Sequence, residues 1–131
     1  MSRDGVDAIV ARAEARPRET FGDPARGDVS WVTLFSGEMT PTQAMSAGLA
    51  ELKPQGGRLA SHRHAEPEIY FVVEGSGVVT VSGVETRVAA GAAVFIPSDA
   101  EHGIRNDGDA VLRFFYVFPV DRFPDVVYRF S

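Results

Sequence analysis

The sequence predicts an all-β domain, an antiparallel sandwich or barrel. Two observations lead there. Short runs rich in Val, Ile, Phe, Tyr and Thr recur from residue 30 to residue 130, each bounded by Gly, Pro, Asn or Asp. Helical periodicity, by contrast, is confined to the first sixteen residues.

In chain order, "DGVDAIVARAEAR" (4–16) is the helix candidate. Val6, Ile9 and Val10 form a short apolar stripe, Asp4 suits a cap and Pro17 ends the run. Residues 17–29 are rich in Pro, Gly and charge and read as an irregular connection, so 1–29 form an N-terminal helix and arm. Residues 30–131 then form one barrel. Its expected strands are "SWVTLF" (30–35), "MSAGLAEL" (45–52), "IYFVVEG" (69–75), "GVVTV" (77–81), "ETRVAA" (85–90), "AAVFI" (92–96), "HGIRN" (102–106), "VLRFFYVF" (111–118) and "VVYRF" (126–130). Gly83 marks a tight hairpin, and Asn106-Asp107-Gly108 reads as a second one before the aromatic strand.

Composition narrows the chemistry. With 131 residues, 44% of them apolar, the chain can bury a core without covalent staples. It has no cysteine, which excludes disulfides, thiolate nucleophiles and Cys-ligated zinc. Any metal must be held by His, Asp, Glu or water. A net charge of −5 argues against a nucleic-acid partner. No apolar run has the length of a membrane span and no secretory segment opens the chain, so a cytoplasmic location is the expectation.

The stretch "SHRHAEPEIYFVVEGSG" (61–77) holds two of the three histidines. His62 and His64 are two apart, which in an extended segment places them on one face with Arg63 on the other. Taken singly, each would be an ordinary turn residue. Glu68 follows after Pro67, where a bend would return it beside the histidines, whereas Glu66 precedes the proline and is expected to point outward. His102 follows the "PSDAE" turn, and barrel closure makes such a distant strand a neighbour. Three imidazoles and one carboxylate would make a nitrogen–oxygen site suited to one divalent transition ion: Fe, Mn, Ni, Cu, Co or Zn.

Two longer patterns carry a resemblance. "GGRLASHRHAEPEIYFVVEG" reads as Gly56, five residues, His62-x-His64, three residues, Glu68, six residues, Gly75. "GAAVFIPSDAEHGIRN" supplies Gly91, Pro97, His102 and Asn106. In both, the chain resembles the cupin superfamily, with one departure: Asp99 stands where that pattern usually has Gly. The resemblance implies a small jelly-roll barrel with a metal held inside by His62, His64, Glu68 and His102. It does not imply a single reaction, because this fold hosts many.

Tyr70 lies two residues beyond Glu68 and should share its inward face, where its phenol is a candidate general base or donor. Length, the lone barrel, the N-terminal extension and Tyr70 are similar to small cupin lyases that cleave dimethylsulfoniopropionate. In those, the resemblance implies, the metal holds the substrate carboxylate while a tyrosine removes the adjacent proton. The alternatives are a quercetinase-like dioxygenase, an isomerase or cyclase of small polar or polyketide substrates, and a non-catalytic sensor or metal-binding module. Phe114, Tyr116 and Phe118 share one face of their strand, while Phe115 and Val117 share the other. Phe95 is expected at the pocket or a dimer face, with Trp31, Met39 and Met45 near the barrel mouth. A homodimer is expected through a sheet edge, with "VVYRF" as the apolar terminal strand.

Overall fold

The computed structural model describes residues 7–131. Twelve strands carry the fold: β1 (Arg18–Thr20), β2 (Gly27–Asp28), β3 (Ser30–Phe35), β4 (Ser46–Leu52), β5 (Arg58–Arg63), β6 (Glu68–Glu74), β7 (Ser76–Val81), β8 (Val84–Ala89), β9 (Ala93–Ile96), β10 (His102–Arg105), β11 (Leu112–Phe118) and β12 (Arg129–Phe130). They form two antiparallel sheets, ordered β1-β3-β4-β11-β6-β9 and β12-β5-β10-β7-β8, with β2 also pairing β5. This is the jelly-roll arrangement that the motifs imply.

Alternation of side chains explains the core between the sheets. On β11, Leu112, Phe114, Tyr116 and Phe118 are buried, while the residues between them are partly exposed. On β6, Glu68, Tyr70 and Val72 point inward and Ile69, Phe71 and Val73 outward. Both parities agree with the sequence reading.

Three expectations change. Of the helix over 4–16, residues 4–6 lie outside the described residues, and residues 7–16 contain only one 3₁₀ turn, Ala13–Ala15. The stripe is too narrow to seat against the core: Val10 is 74% exposed, so nothing offsets the entropy of helix formation. The connection over 17–29 is also more ordered than expected. β1 pairs with β3 and β2 pairs with β5, joining the arm to both sheets.

Asn106-Asp107-Gly108 is not a hairpin either, because β10 pairs with β5 and β7 while β11 pairs with β4 and β6. The turn carries the chain from one sheet to the other. Buried Asn106 anchors it, donating from Nδ2 to Leu52 O (3.1 Å) and Ala110 O (2.8 Å) and accepting from Gly108 N (3.0 Å). The Gly83 turn is the expected two-residue hairpin, with Ser82 at φ 50° and Gly83 at φ 81° between paired Val81 and Val84. Within the described residues, no helix is long and apolar enough to cross a membrane.

Candidate metal centre

The sheet of β12, β5, β10, β7 and β8 supplies the three histidines. His62 and His102 are direct cross-strand partners on β5 and β10, and His64 lies just past the end of β5. Strict alternation would not put both Leu59 and His62 in the interior, since they are three residues apart. The register between β5 and β10 shifts there: Ile104 faces Leu59 and His102 faces His62, so one extra residue of β5 is accommodated. Such a bulge re-aims the following side chain. Gly103 lies opposite it, where a Cβ would approach Leu59 O to 2.9 Å. The other sheet contributes Glu68, at the start of β6 after the bend at Pro67.

The four residues are almost wholly buried, at 0% (His62), 1% (His64), 4% (Glu68) and 1% (His102) exposure. The candidate ligand nitrogens of the three histidines lie within 4.8 Å of one another. Glu68 Oε1 sits 3.2 Å from His64 Nε2 and 3.3 Å from His102 Nε2. Ligand atoms sharing one ion at about 2.1 Å lie roughly 3.0–3.4 Å apart; the two Glu68 contacts have that spacing, while the imidazole nitrogens spread up to 4.8 Å and would draw together around an ion.

Backbone carbonyls select the tautomers. His62 Nδ1 meets Ala60 O at 2.8 Å, His64 Nδ1 meets Glu66 O at 2.9 Å, and His102 Nδ1 meets Ala100 O at 2.9 Å. A carbonyl only accepts, so each Nδ1 carries the hydrogen and each neutral ring turns its Nε2 lone pair inward. His62 Nε2 is buried with no hydrogen-bond partner. An orphaned acceptor of this kind is costly unless something occupies it, and a metal cation fits the donor set.

Electrostatics sharpen the picture. Burial, then the neighbouring His102, lowers the His62 pKa to about 3, which leaves the imidazole neutral and ready to ligate. Burial also acts to lower His64, but the hydrogen bond and charge of Glu68 outweigh it and hold His64 above its ordinary value. Tyr70 is buried beside Phe114, with ring centroids 4.5 Å apart, and 6.2 Å from His102. Its phenol lacks a hydrogen-bond partner. Burial, then the Glu68 charge, raises it well above the usual tyrosine value.

Glu68 and Tyr70 open onto a narrow cavity also lined by Trp31, Tyr116, Phe123 and Tyr128. Tyr128 stacks on His62 (4.9 Å, 28°) and stands edge-on to His64 (5.3 Å). From sequence, residues 126–130 are expected at a dimer edge, and Tyr128 has no role of its own. The available signal was the Tyr128-x-Phe130 alternation, which puts both rings on one face; Phe130 sits opposite His62. Phe21 was missed too, inside the arm read as irregular, and it packs 4.8 Å from Trp31.

Other placements are corrected by the fold. Met39 and Met45, expected near the barrel mouth, lie outside the cavity at 42% and 57% exposure, and Phe95, expected at the pocket or a dimer face, is 63% exposed on the outer face and not in the pocket. Trp31 does line it. Glu66 does not simply point outward: one carboxylate oxygen is shielded, and its carbonyl fixes His64.

Comparison with known proteins agrees with this architecture. The cupin domain family matches residues 48–118, and the chain belongs to that family. It is 44% identical over 119 residues to dimethylsulfoniopropionate lyase DddW of Ruegeria pomeroyi, spanning 91% of this chain and 77% of that protein. It is 29% identical to an oxalate-binding protein of Thermotoga maritima, over 88% of this chain and 96% of that one. The polyketide cyclase RemF of Streptomyces resistomycificus superposes with a TM-score of 0.79 over 95% of this chain and 86% of its own, at 21% identity, a likeness of fold.

Proposed function

We propose that this chain is a metal-dependent lyase that eliminates a leaving group β to the carboxylate of a small substrate. A dimethylsulfonio group is the leaving group to test first. The observation that carries this reading is the buried, unpartnered Tyr70 phenol on the same strand face as Glu68, beside three converging imidazoles. The 44% identity to a dimethylsulfoniopropionate lyase supports it.

In this reading His62, His64, Glu68 and His102 hold one divalent transition ion. When bound, that ion would polarise the substrate carboxylate and make the adjacent C–H more acidic. Tyr70 then acts as the base once its own proton is lost. Its phenolate takes the proton next to the carboxylate, the C–H electron pair forms the C=C bond, and the C–S pair leaves with dimethyl sulfide. Burial and the Glu68 charge oppose loss of the phenol proton. The positive charge of an ion held by the four ligands would oppose both, so a bound cation is a condition for turnover. The aromatic walls suit the remaining part of such a substrate, since ring faces attract an onium cation and exclude water.

The test is release of dimethyl sulfide from dimethylsulfoniopropionate under anaerobic conditions, with and without a chelator. Metal-dependent release without oxygen supports the lyase; release that requires oxygen supports a dioxygenase. The likeness to an oxalate-binding protein favours a second reading, capture of a small carboxylate without turnover. Ligand-dependent stabilisation with no product would support that reading instead.

The chain is also inferred to pair with a second copy; the strand part of "VVYRF" is only Arg129–Phe130, a short edge already bonded on one side to β5, so it offers little to pair with. The surface that fits is the outer face of β6 and β9. Ile69 lies opposite Phe95, and Phe71 and Val73 continue the row, with Met45 alongside at the loop before β4; all are more than 40% exposed. A stable interface removes about 800 Å² from each partner, and a row of half-exposed aromatic and branched side chains is the apolar centre it needs.

A further inference from the structure

Asp99 departs from the cupin pattern, which usually has Gly, and its backbone sits at φ 60°, a region costly for a residue with a Cβ. Gly would adopt it without strain. The surroundings supply a compensating role. Asp99 N donates to His64 O (2.9 Å), fixing the turn directly against the end of the histidine strand. Asp99 Oδ1 accepts from Arg129 Nη2 at 2.7 Å, and Arg63 Nη1 donates to Asp99 O at 3.3 Å. Arg63 and Arg129 are direct cross-strand partners on β5 and β12. Like charges so placed repel; the Asp99 carboxylate pairs with Arg129 while the Asp99 carbonyl takes Arg63, so one residue engages both arginines.

β12 is only two residues long and lies at the sheet edge, so its own ladder holds it weakly. Beyond it, Ser131 N donates to Ser61 O (3.0 Å), and the Ser131 hydroxyl bonds the Glu101 carboxylate. The same short segment carries Tyr128 and Phe130, whose rings cover His62 at 4.9 and 5.2 Å.

We propose that Asp99 is a positioning residue: through Arg129 it holds the C-terminal segment against β5, so that Tyr128 and Phe130 form the wall over the histidine cluster. Its consequence is local. An exposed ion pair adds little to global stability, but opening a two-residue edge strand costs far less than unfolding, so a small term changes how often the wall opens. Ligand and metal exchange would then pass through this wall.

The test compares Asp99→Asn, Arg129→Ala, the double variant and Arg129→Lys with the parent chain. Asn tolerates the positive φ, so Asp99→Asn removes the charge and keeps the turn. Amide hydrogen exchange of segment 126–131, measured on the metal-free chain, is expected to be about two- to fivefold faster in both single variants, the size set by one exposed pair. The double variant should be no faster than either single one, Arg129→Lys should retain most of the protection, and the rest of the barrel should exchange unchanged. Cobalt(II)-loaded protein should lose its metal to a chelator faster by a similar factor. The chelator arm rests on the proposed metal centre; the exchange arm does not, so failure of one is distinguishable from failure of the other. Unchanged exchange at 126–131, additive effects in the double variant, or faster exchange throughout the barrel would overturn the proposal. Faster exchange with an unaltered stripping rate would show that the segment is not the wall, and would also overturn it.

Discussion

At the residue scale, the site depends on which nitrogen each imidazole presents. Three carbonyls, from Ala60, Glu66 and Ala100, take the Nδ1 hydrogens and turn Nε2 inward, without a hydrogen bond on His62 and His102 and against Glu68 on His64. Replacing His102 with Ala removes one of these donors, and its variant should lose retained metal, measured by elemental analysis, while the circular dichroism of the barrel persists. Tyr70→Phe removes the phenol without altering the packing on Phe114. Its expected outcome is a loss of turnover of about 10²–10⁴-fold with metal content unchanged. The pH dependence has a defined sign. In the metal-free chain, His62 resists protonation until about pH 3, while an unfolded histidine accepts a proton near 6.5. The unfolded state thus binds more protons between these values, and stability should fall as pH decreases through that window. The raised His64 acts in the other window: its contribution is present below pH 6.5 and is lost as pH rises through its folded value. Denaturant midpoints against pH in chelator would check both limbs. Metal uptake should displace the His64 proton and so strengthen as pH rises.

At the element scale, the bulge in β5 and the turn after β10 place the site. The bulge turns both Leu59 and His62 inward, and the turn at Asn106 carries the chain into the facing sheet. Asn106→Ala should destabilise the chain by about 1–3 kcal/mol, because it leaves the Leu52 and Ala110 carbonyls without their donor. Thermal melting would read this. Most of these elements are legible in the sequence, since β3, β4 and β6 through β11 follow the runs of apolar residues closely; β5, "RLASHR", is polar and shows only as the extended segment around His62 and His64. The spacing of His62, His64, Glu68 and His102 was legible too, through two motifs. The β5 bulge was not, because one extra residue in a strand leaves no mark in composition. The N-terminal helix was misread because periodicity describes a face, not whether a surface exists to receive it.

At the scale of the whole molecule, one sheet presents three histidines and the other a carboxylate and a tyrosine, with aromatic side chains closing the space between. Its outer face carries the exposed row of Ile69, Phe71, Val73 and Phe95. Phe95→Lys should shift light scattering of the inferred dimer to the monomer mass at micromolar concentration, with the melting profile of the barrel kept. A parent chain already monomeric there would rule the dimer out.

The all-β class, the strand parities and the four converging residues follow from local pattern, because alternation and motif spacing are local. What surrounds those residues follows from how the sheets close. Tyr128 reaches His62 only because β12 pairs with β5, and Asp99 meets Arg129 across thirty residues of chain. Contacts between distant segments depend on how the sheets close, which no local pattern encodes.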